Sequence, residues 1–314
     1  MEIDDEPDQP IDFGRSRFVR GVLGAGAALA LTRGGRAAAM PPAAAMTTRA
    51  IPSSGEALPV IGCGTWIGFD VRDDDAAGSK ELGAVVDALF AAGGRVLDSS
   101  PMYGRSEAVT GRLLAASPRE AFVATKVWTR GRTAGLEQMN ASLRLLGHVD
   151  LMQVHNLLDW RTHLPTLRQW KADGRIRYVG VTHYTSGAYR ELEAILRAEP
   201  LDFVQVDYAL DDRDAEARIL PLAADRGVAV LVNRPFGGGG LLKRLATKPL
   251  PAWAAELGAN TWSQVLLKFV LSHPAVTCAI PGTGNARHMA ENAAAGSGPV
   301  PDRALWLRLD ALLD

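Results

Sequence analysis

Two periods of hydrophobic and polar positions alternate along most of this chain. From Val60 onward, short runs rich in Val, Ile, Leu and Phe are followed by longer segments in which apolar residues recur every three or four positions. The short runs are typical of buried β-strands, and the longer segments are typical of amphipathic helices. The predicted strands are Val60–Trp66, Arg95–Asp98, Ala121–Lys126, Val149–His155, Ile176–Thr182, Phe203–Asp207, Val228–Val232 and Ala275–Ile280.

A helix is predicted after every strand, and several of these helices carry end signals. Gly93, Gly174 and Gly227 follow helical segments, and Thr261 is placed to cap one. Ser106 is a second predicted N-cap. The predicted helices are Glu81–Ala92, Ser106–Ala116, Gly135–Leu146, Leu164–Ala172, Ala188–Arg197, Ala215–Arg226, Thr261–Ser272 and Arg287–Ala295.

This alternation predicts the fold class. Strict strand–helix alternation indicates a parallel sheet. Eight units fit a closed (β/α)8 TIM barrel of about 250 residues, and the segment from Ile51 to Val60 predicts a small hairpin in front of it. A doubly wound open sheet is the alternative, but the glycine run Gly237–Gly240 lacks the G-x-G-x-x-G spacing of that fold.

Residues 1–46 have a different pattern. Three arginines, Arg15, Arg17 and Arg20, precede the small and apolar run Gly21–Leu31. A run of this length is too short to span a bilayer but suits the apolar part of a signal peptide, with alanines downstream as a cleavage site. We therefore predict a leader over 1–46 that is not part of the fold, a barrel over 47–314, and no stable membrane span in the mature protein.

The arginine pattern also bears on localisation. It resembles a twin-arginine export signal, which directs the export of folded and cofactor-loaded proteins. It departs from that signal because its arginines are not adjacent to one another. The resemblance implies a periplasmic or otherwise exported protein. The alternative is a disordered alanine-rich leader on a cytoplasmic enzyme.

Composition excludes several classes of protein. Lysine and arginine total 34 against 35 acidic residues, so the net charge of −1 provides no basic footprint for nucleic acid. The two cysteines, Cys63 and Cys278, lie in predicted strands and form neither a disulfide framework nor a metal cluster. The sequence therefore predicts no nucleic-acid partner and no metal site.

Polar residues mark the ends of three successive predicted strands. Asp98, Lys126 and His155 each end a strand, and Tyr103 follows Asp98 by five positions. In a TIM barrel, residues at the carboxyl ends of the strands line the active site. We therefore expect these four side chains to meet at the barrel mouth.

At this point the sequence resembles a known family. The matching motifs are LPVIGCGTW (Leu58–Trp66), VLDSSPMYGRSEAVTG (Val96–Gly111), VATKV (Val123–Val127), VDLMQVHN (Val149–Asn156), GRIRYVGVTHY (Gly174–Tyr184), FVQVDY (Phe203–Tyr208) and IPGTGNARHMAEN (Ile280–Asn292). In this order they make the chain from about residue 49 onward similar to the aldo-keto reductase family. The resemblance implies an NAD(P)H-dependent oxidoreductase on a TIM barrel.

The resemblance implies catalytic roles for four residues. Tyr103 is expected to donate a proton to the developing alkoxide, with its pKa lowered by the ammonium of Lys126. Asp98 is expected to hold Lys126 in place and keep it charged. His155 is expected to orient the carbonyl oxygen or to share the proton transfer.

The resemblance also implies a cofactor site, with several departures from the family pattern. Thr182 and His183 replace the usual Ser-Asn pair that, with Gln205, holds the nicotinamide carboxamide, and Asn233 replaces the usual stacking tyrosine. The family's phosphate end maps onto Gly282 in place of a lysine, and onto His288 in place of an arginine. The other implied cofactor residues are Gly64, Thr65, Trp66, Asp70, Arg234, Pro281, Thr283, Arg287 and Asn292. The implied cofactor is NADPH, with Arg287 near the 2′-phosphate and with NADH also possible.

The substrate is less defined than the cofactor. Trp66, Trp128 and Trp160 follow predicted strands and are candidates for an apolar pocket, or they pack helices against the barrel. The expected partners are small aldehydes or ketones, including carbonyls derived from sugars or lipids, and the oligomeric state stays open. Two alternatives are a cofactor-binding barrel that senses redox state without turnover, and a lyase or isomerase that uses Lys126 as a Schiff-base amine.

Overall fold

The computed structural model describes residues 45–117, 119–302 and 305. Of the predicted leader, only Ala45 and Met46 lie within this part of the chain, and Met46 packs into the hydrophobic core. The predicted export signal and cleavage site otherwise lie outside the described residues. In the part of the chain that is described, no helix is long and apolar enough to cross a membrane.

Eight parallel strands form a nearly closed barrel, preceded by a hairpin of strands β1 and β2, and this confirms the predicted TIM barrel. The strands are β1 Thr48–Ala50, β2 Ala57–Pro59, β3 Cys63–Gly64, β4 Val96–Asp98, β5 Phe122–Val127, β6 Leu151–His155, β7 Tyr178–His183, β8 Phe203–Asp207, β9 Ala229–Asn233 and β10 Val276–Ala279. Barrel strands β3 to β10 pair in sequence order. Single bridges from Ile61 to Ala279 and from Gly64 to Gly282 bring the first and last strands together.

Helices follow the barrel strands, largely where the sequence predicts them. They are α1 Ala76–Ala91, α2 Ser106–Ala115, α3 Arg132–Leu146, α4 Trp160–Ala172, α5 Tyr189–Ala198, α6 Asp214–Arg226, α7 Gly240–Leu245, α8 Trp262–Ser272 and α9 Ala286–Ala294. Helix α1 begins five residues before the predicted start because Asp75, whose side chain accepts from the Gly78 N–H, caps it. Thr261 caps α8 as predicted.

Two local predictions are corrected by the structure. Ser106 is the first residue of α2 rather than its cap, and its hydroxyl donates to the Thr65 carbonyl. The loop after β9 contains the short helix α7 and a 3-10 segment over Ala252–Leu257, which the sequence pattern did not predict. Both elements are too short to display a helical period.

The barrel interior changes from apolar to polar along its strands. The hairpin residues Ile51 and Leu58 join an interior cluster at the amino end of the barrel, together with Phe122 and Phe203. Alternate residues of a strand point to the same face. In β5, Phe122 is therefore followed on the inner face by Lys126, so the sequence places an apolar plug at one end of the barrel and polar side chains at the other.

Candidate active site

The two-residue period of the strands places the predicted catalytic residues inside the barrel mouth. Strand β6 directs Leu151, Gln153 and His155 to the same face, and all three are buried. In the neighbouring strand β7, Gly180 leaves room for this layer. A Cβ at Gly180 would lie 3.0 Å from the Phe203 carbonyl oxygen and 3.1 Å from Cγ of Gln153.

An ion pair between Asp98 and Lys126 lies at the centre of the site. Lys126 Nζ donates to Asp98 Oδ2 at 2.6 Å and to the Ser99 carbonyl oxygen at 2.7 Å. The other carboxylate oxygen of Asp98 accepts from the side-chain amides of Gln205 at 2.9 Å and Gln153 at 3.2 Å. This network fixes the carboxylate on both oxygens.

The network also keeps the buried lysine charged. The side chain of Lys126 is 0% exposed. Burial by itself lowers the pKa of Lys126, but Asp98 and Tyr103 outweigh it and raise that pKa. The ammonium is therefore retained in a site from which water is largely excluded, where its field acts strongly on neighbouring groups.

Tyr103 lies beside this ammonium, in the loop between β4 and α2. Lys126 Nζ is 5.1 Å from the centroid of the Tyr103 ring. Burial raises the pKa of Tyr103, and this effect outweighs the opposing effect of Lys126. Lys126 lowers the pKa of Tyr103, as expected, but desolvation of the phenolate dominates, so the net shift is upward. The hydroxyl accordingly stays protonated, which is the form that donates.

His155 completes the group of four side chains. Its ring packs edge-on against Tyr103 with centroids 5.9 Å apart and lies 6.3 Å from the ring of Trp128. Burial and the charge of Lys126, with a smaller effect of His183, lower the pKa of His155 to about 2. The imidazole is therefore neutral at physiological pH.

A chain of hydrogen bonds connects the predicted nicotinamide residues to the catalytic pair. Thr182 Oγ1 donates to Gln205 Oε1 at 3.2 Å, and the amide of Gln205 in turn bonds Asp98. His183 instead accepts from the Thr185 N–H at 3.2 Å and stacks on Tyr184. The structure thus brings Thr182 and Gln205 to the catalytic centre and places His183 at its edge.

Asn233 offers a test of whether a cofactor fits this site. Its Oδ1 atom is buried and has no hydrogen-bond partner among the described residues. Asn233 ends strand β9 and pairs in register with Asp207, two positions beyond Gln205. An orphaned acceptor at this point is suited to an amide donor of a bound ligand, so the residues present fit a nicotinamide carboxamide.

Asp207 adds an acid to this part of the mouth. Burial and the carboxyl group of Asp212 raise the pKa of Asp207 to about 7. The hydroxyl of Tyr189 donates to Asp207 Oδ1 at 3.0 Å. The neighbouring Arg234 is exposed, has a positive φ of 47° and lies with its guanidinium 5.5 Å from the ring of Tyr184.

The loops after β3 and β10 contact each other closely at the predicted phosphate end. A Cβ at Gly282 would lie 3.2 Å from the Gly64 carbonyl oxygen, and a Cβ at Gly68 would lie 3.0 Å from the Gly284 nitrogen. At such distances, a side chain at any of these four glycines would force the facing loop to shift by a few tenths of an ångström. Where the family has a lysine, this chain therefore has Gly282, whose backbone lies close to Gly64 in the loop after β3.

The start of helix α9 is exposed, and side chains of the preceding loop bond part of its backbone. Asn285 Oδ1 caps the helix by accepting from the His288 N–H, and Thr283 Oγ1 accepts from the Asn285 N–H. The side chain of Arg287 is 78% exposed and lies 3.7 Å from Glu291. Pro281 and Asn292, by contrast, are buried.

The remaining predicted cofactor residues follow strand β3. Thr65 is fully buried and donates to Ser99 Oγ at 2.9 Å, whereas Trp66 is 52% exposed. Asp70 accepts from both the backbone and the guanidinium of Arg105. Asp70 is therefore part of a surface ion pair that connects the loops after β3 and β4.

Three residues of this region were missed by sequence reasoning. Gln153 contacts Asp98, Ser100 bonds His155, and Glu81 accepts from the Ala286 N–H at the start of α9 at 2.9 Å. The strand period alone could have found Gln153, because it precedes His155 by two positions. Glu81 lies 205 positions from its partner, and no sequence pattern joins them.

The predicted tryptophans divide between two environments. Trp66 and Trp128 are exposed, at 52% and 39%, in loops at the mouth. Trp160 is the first residue of α4, where its indole N–H donates to Glu191 of α5. Trp160 therefore connects helices α4 and α5, and both of its predicted roles stay predictions.

Comparisons with known proteins give a consistent result. The model of the aldo/keto reductase family matches residues 60–312. An NADH-specific methylglyoxal reductase of Escherichia coli (strain K12) is 27% identical over 231 residues, which are 62% of this chain and 68% of that protein. Aldo-keto reductase str7 of Strobilurus tenacellus is 26% identical over 257 residues, covering 68% of this chain and 75% of its own.

A solved structure extends the comparison to three dimensions. The crystal structure of an aldo-keto reductase from Klebsiella pneumoniae in complex with NADPH superimposes with a TM-score of 0.70 and 26% sequence identity. The match covers 85% of this chain and 95% of that one.

Proposed function

Since the chain belongs to the aldo/keto reductase family and is an NAD(P)H-dependent carbonyl reductase, we propose that Tyr103 is the proton donor of its reaction. The proposed substrates are small aldehydes and ketones, including carbonyls derived from sugars or lipids. The observation that carries the proposal is the contact of a protonated tyrosine with a buried ammonium, beside a neutral histidine, at the mouth of the barrel.

The proposed mechanism assigns each side chain a task. The bound nicotinamide cofactor supplies the hydride. As negative charge develops on the carbonyl oxygen, Tyr103 donates its proton to that oxygen. The ammonium of Lys126 stabilises the phenolate left behind, because it lies close by in a site that excludes water. Asp98 holds Lys126 in position, and His155 orients the oxygen by hydrogen bonding.

The rim of the mouth supports a small and partly apolar substrate. Trp66, Met102, Trp128 and Tyr184 are among the most exposed large apolar side chains of the described residues, and they come from the loops after β3, β4, β5 and β7. These loops surround the catalytic group. An exposed apolar rim around a polar centre is typical of a site that buries a hydrophobic substituent and fixes one carbonyl.

The cofactor is NADPH, and NADH is also possible. The similar structure from Klebsiella pneumoniae contains NADPH, whereas the relative from Escherichia coli is specific for NADH. We propose that the guanidinium of Arg287 lies near the 2′-phosphate of the bound cofactor. The negative charge of Glu81 opposes binding of this phosphate, because the Glu81 carboxylate lies at the N-terminus of helix α9 and accepts from the Ala286 N–H.

The structure gives a physical reason to prefer this proposal to its rivals. A Schiff-base enzyme needs a neutral lysine amine, but Asp98 keeps Lys126 protonated. A barrel that only senses redox state needs no proton donor at this position. The sensor is distinguished by experiment, because it would bind cofactor and leave aldehydes unreduced.

Replacing Tyr103 by phenylalanine tests the proposal. We expect Tyr103→Phe to lower kcat by about 10²- to 10⁴-fold, the usual contribution of a general acid, with NADPH affinity by fluorescence titration unchanged. Tyr178→Phe is the matched control, because that hydroxyl lies at the opposite end of the barrel and bonds Ser54 and Glu56. A loss of NADPH affinity as large as the loss of kcat would count against the assigned role.

We also propose that residues 1–46 act as an export leader. The support is the arginine-flanked apolar run described above. Fused to a reporter that matures only after export, this segment should direct it out of the cytoplasm, and replacing Arg17 and Arg20 by lysine should reduce that export. A reporter retained in the cytoplasm with the unaltered segment would contradict the proposal.

A further inference from the structure

Ser100 contacts the catalytic histidine from inside the barrel wall. Ser100 Oγ lies 3.0 Å from Nδ1 of His155, and the serine side chain is fully buried. Ser100 follows strand β4 by two positions and precedes Tyr103 by three. The same short segment therefore presents both the proton donor and a partner for the histidine ring.

The direction of this hydrogen bond decides which nitrogen of His155 carries the hydrogen. A neutral imidazole has one N–H and one acceptor nitrogen. If Ser100 donates, Nδ1 is the acceptor and the hydrogen lies on Nε2. If Nδ1 donates, the hydroxyl hydrogen of Ser100 needs another acceptor. Among the described residues, His155 Nδ1 is the hydrogen-bond partner found for this hydroxyl.

The second arrangement is unfavourable. It leaves a buried hydroxyl hydrogen unsatisfied, and an unmade buried hydrogen bond costs about 1–3 kcal/mol. The neutral state of His155 removes a third possibility, in which both ring nitrogens donate. Donation by Ser100 is thus the arrangement that satisfies both groups.

We propose that Ser100 is a positioning residue that holds the hydrogen of His155 on Nε2, the nitrogen left free to donate to the substrate carbonyl. This inference rests on the proposed function, in which His155 orients that oxygen. A neutral histidine with an Nε2 hydrogen is a hydrogen-bond donor rather than an acid. The proton of the reaction therefore comes from Tyr103, and Ser100 keeps the two roles separate.

The tautomer of His155 can be measured directly. Long-range ¹⁵N–¹H NMR spectra of the wild-type holoenzyme labelled at its histidine rings distinguish the two neutral forms, and His155→Gln identifies the signal. We expect the Nε2-hydrogen form in the wild type and a mixture of both forms in Ser100→Ala. A wild type in the Nδ1-hydrogen form would overturn the proposal without need of any variant.

Kinetics provides the second readout. We expect Ser100→Ala to lower kcat by about 10- to 100-fold, the range found when the orienting partner of a metal-bound histidine is removed, with cofactor affinity unchanged. Ser100→Thr keeps a hydroxyl and should recover part of the rate. Ser142→Ala is the matched control, since it removes another fully buried serine hydroxyl, in helix α3.

The outcomes separate this inference from the proposed function. Wild-type kcat together with an unchanged tautomer in Ser100→Ala would reject the role of Ser100. An Nε2-hydrogen form in a wild type that reduces no carbonyl compound would leave the tautomer assignment standing and reject the proposed function. Loss of rate in Ser142→Ala equal to that in Ser100→Ala would show a general cost of removing buried hydroxyls.

Discussion

Two regions with proposed roles are built in opposite ways. One is the wall, formed by the predicted catalytic residues Asp98, Lys126 and His155. The other is the predicted phosphate end, formed by the loop after β10 and the start of α9. In the wall, charged and polar groups are buried and bond one another across three adjacent strands. At the phosphate end, Arg287 and His288 are exposed, and the backbone N–H groups are bonded by Thr283 and Asn285 of the same loop and by Glu81 of helix α1.

This difference predicts different energetics for the two regions. A buried ion pair is costly to break, because the remaining charge has neither water nor a partner. An exposed ion pair such as Arg287 with Glu291 contributes little to the free energy of unfolding and is screened by salt. The wall is therefore held together by its own internal bonds, whereas the predicted phosphate end presents exposed charges that interact weakly with one another.

The largest expected effect comes from breaking the buried pair. Lys126→Met should abolish turnover and lower the free energy of unfolding by about 3–5 kcal/mol, because Asp98 is left without its cation. Urea denaturation and steady-state kinetics measure the two effects.

Lys268→Met is the matched control for this change. Lys268 is also buried, but its ammonium donates to the carbonyl oxygens of Ser297 and Pro299, away from the mouth. We expect a smaller stability loss of about 1–3 kcal/mol, from the loss of two hydrogen bonds to backbone carbonyls, and a kcat near that of the wild type. Equal losses of stability in the two variants would mean that Asp98 tolerates the loss of Lys126.

The second prediction concerns acid. The folded-state pKa of His155 is lowered to about 2, whereas an unfolded histidine has a pKa of about 6.5. The unfolded state therefore binds an extra proton below pH 6.5, and this lowers stability as the pH falls. Between pH 7 and pH 5, we expect this group to contribute a loss of about 2 kcal/mol.

His155→Gln should remove that contribution and flatten the acid limb of the stability curve. His148→Gln is the control of opposite sign, because the hydrogen bond that the His148 ring donates to the Asp150 carboxylate raises the pKa of His148. Its stabilisation is present at low pH and is lost as the pH rises, so His148→Gln should steepen the acid limb. Parallel curves for His155→Gln and the wild type would contradict the neutral histidine.

The third prediction tests the phosphate end. Arg287→Ala should weaken NADPH several-fold at low salt and leave NADH almost unchanged, because one exposed charge facing a phosphate is lost. The difference should shrink at high salt. Equal weakening of NADPH binding and NADH binding would contradict a place for Arg287 in the phosphate site. Arg218→Ala is the control for a general loss of surface charge, because Arg218 lies in helix α6 and pairs with Glu193.

The smallest effect is expected at Glu81. Glu81→Gln retains an acceptor for the Ala286 N–H but removes a negative charge from the start of α9. We therefore expect the preference for NADPH over NADH to rise by about two- to threefold, consistent with a helix-end charge effect of about 0.3–1 kcal/mol. Isothermal titration with 2′,5′-ADP and with 5′-AMP measures the effect without turnover, and an unchanged ratio would contradict it.

Much of the molecule could be predicted from particular sequence features. The strand period in Phe122 to Lys126 and in Leu151 to His155 fixed both the apolar plug and the polar mouth, because alternate residues share a face. The strand–helix alternation predicted the barrel, and the order of strand ends predicted that Asp98, Lys126 and His155 would meet. Short elements such as α7 carry no period and were missed.

The sequence by itself determined the barrel and predicted the side chains that we propose as catalytic, since both follow from periodicity and from motifs within single strands. Only the tertiary structure decided their protonation and their partners. The pKa of Tyr103 depends on burial as well as on Lys126, and the contacts of Gln205 with Asp98 and of Glu81 with Ala286 join residues far apart in the chain. Desolvation and long-range contacts are properties of the packed molecule, so no local pattern encodes them.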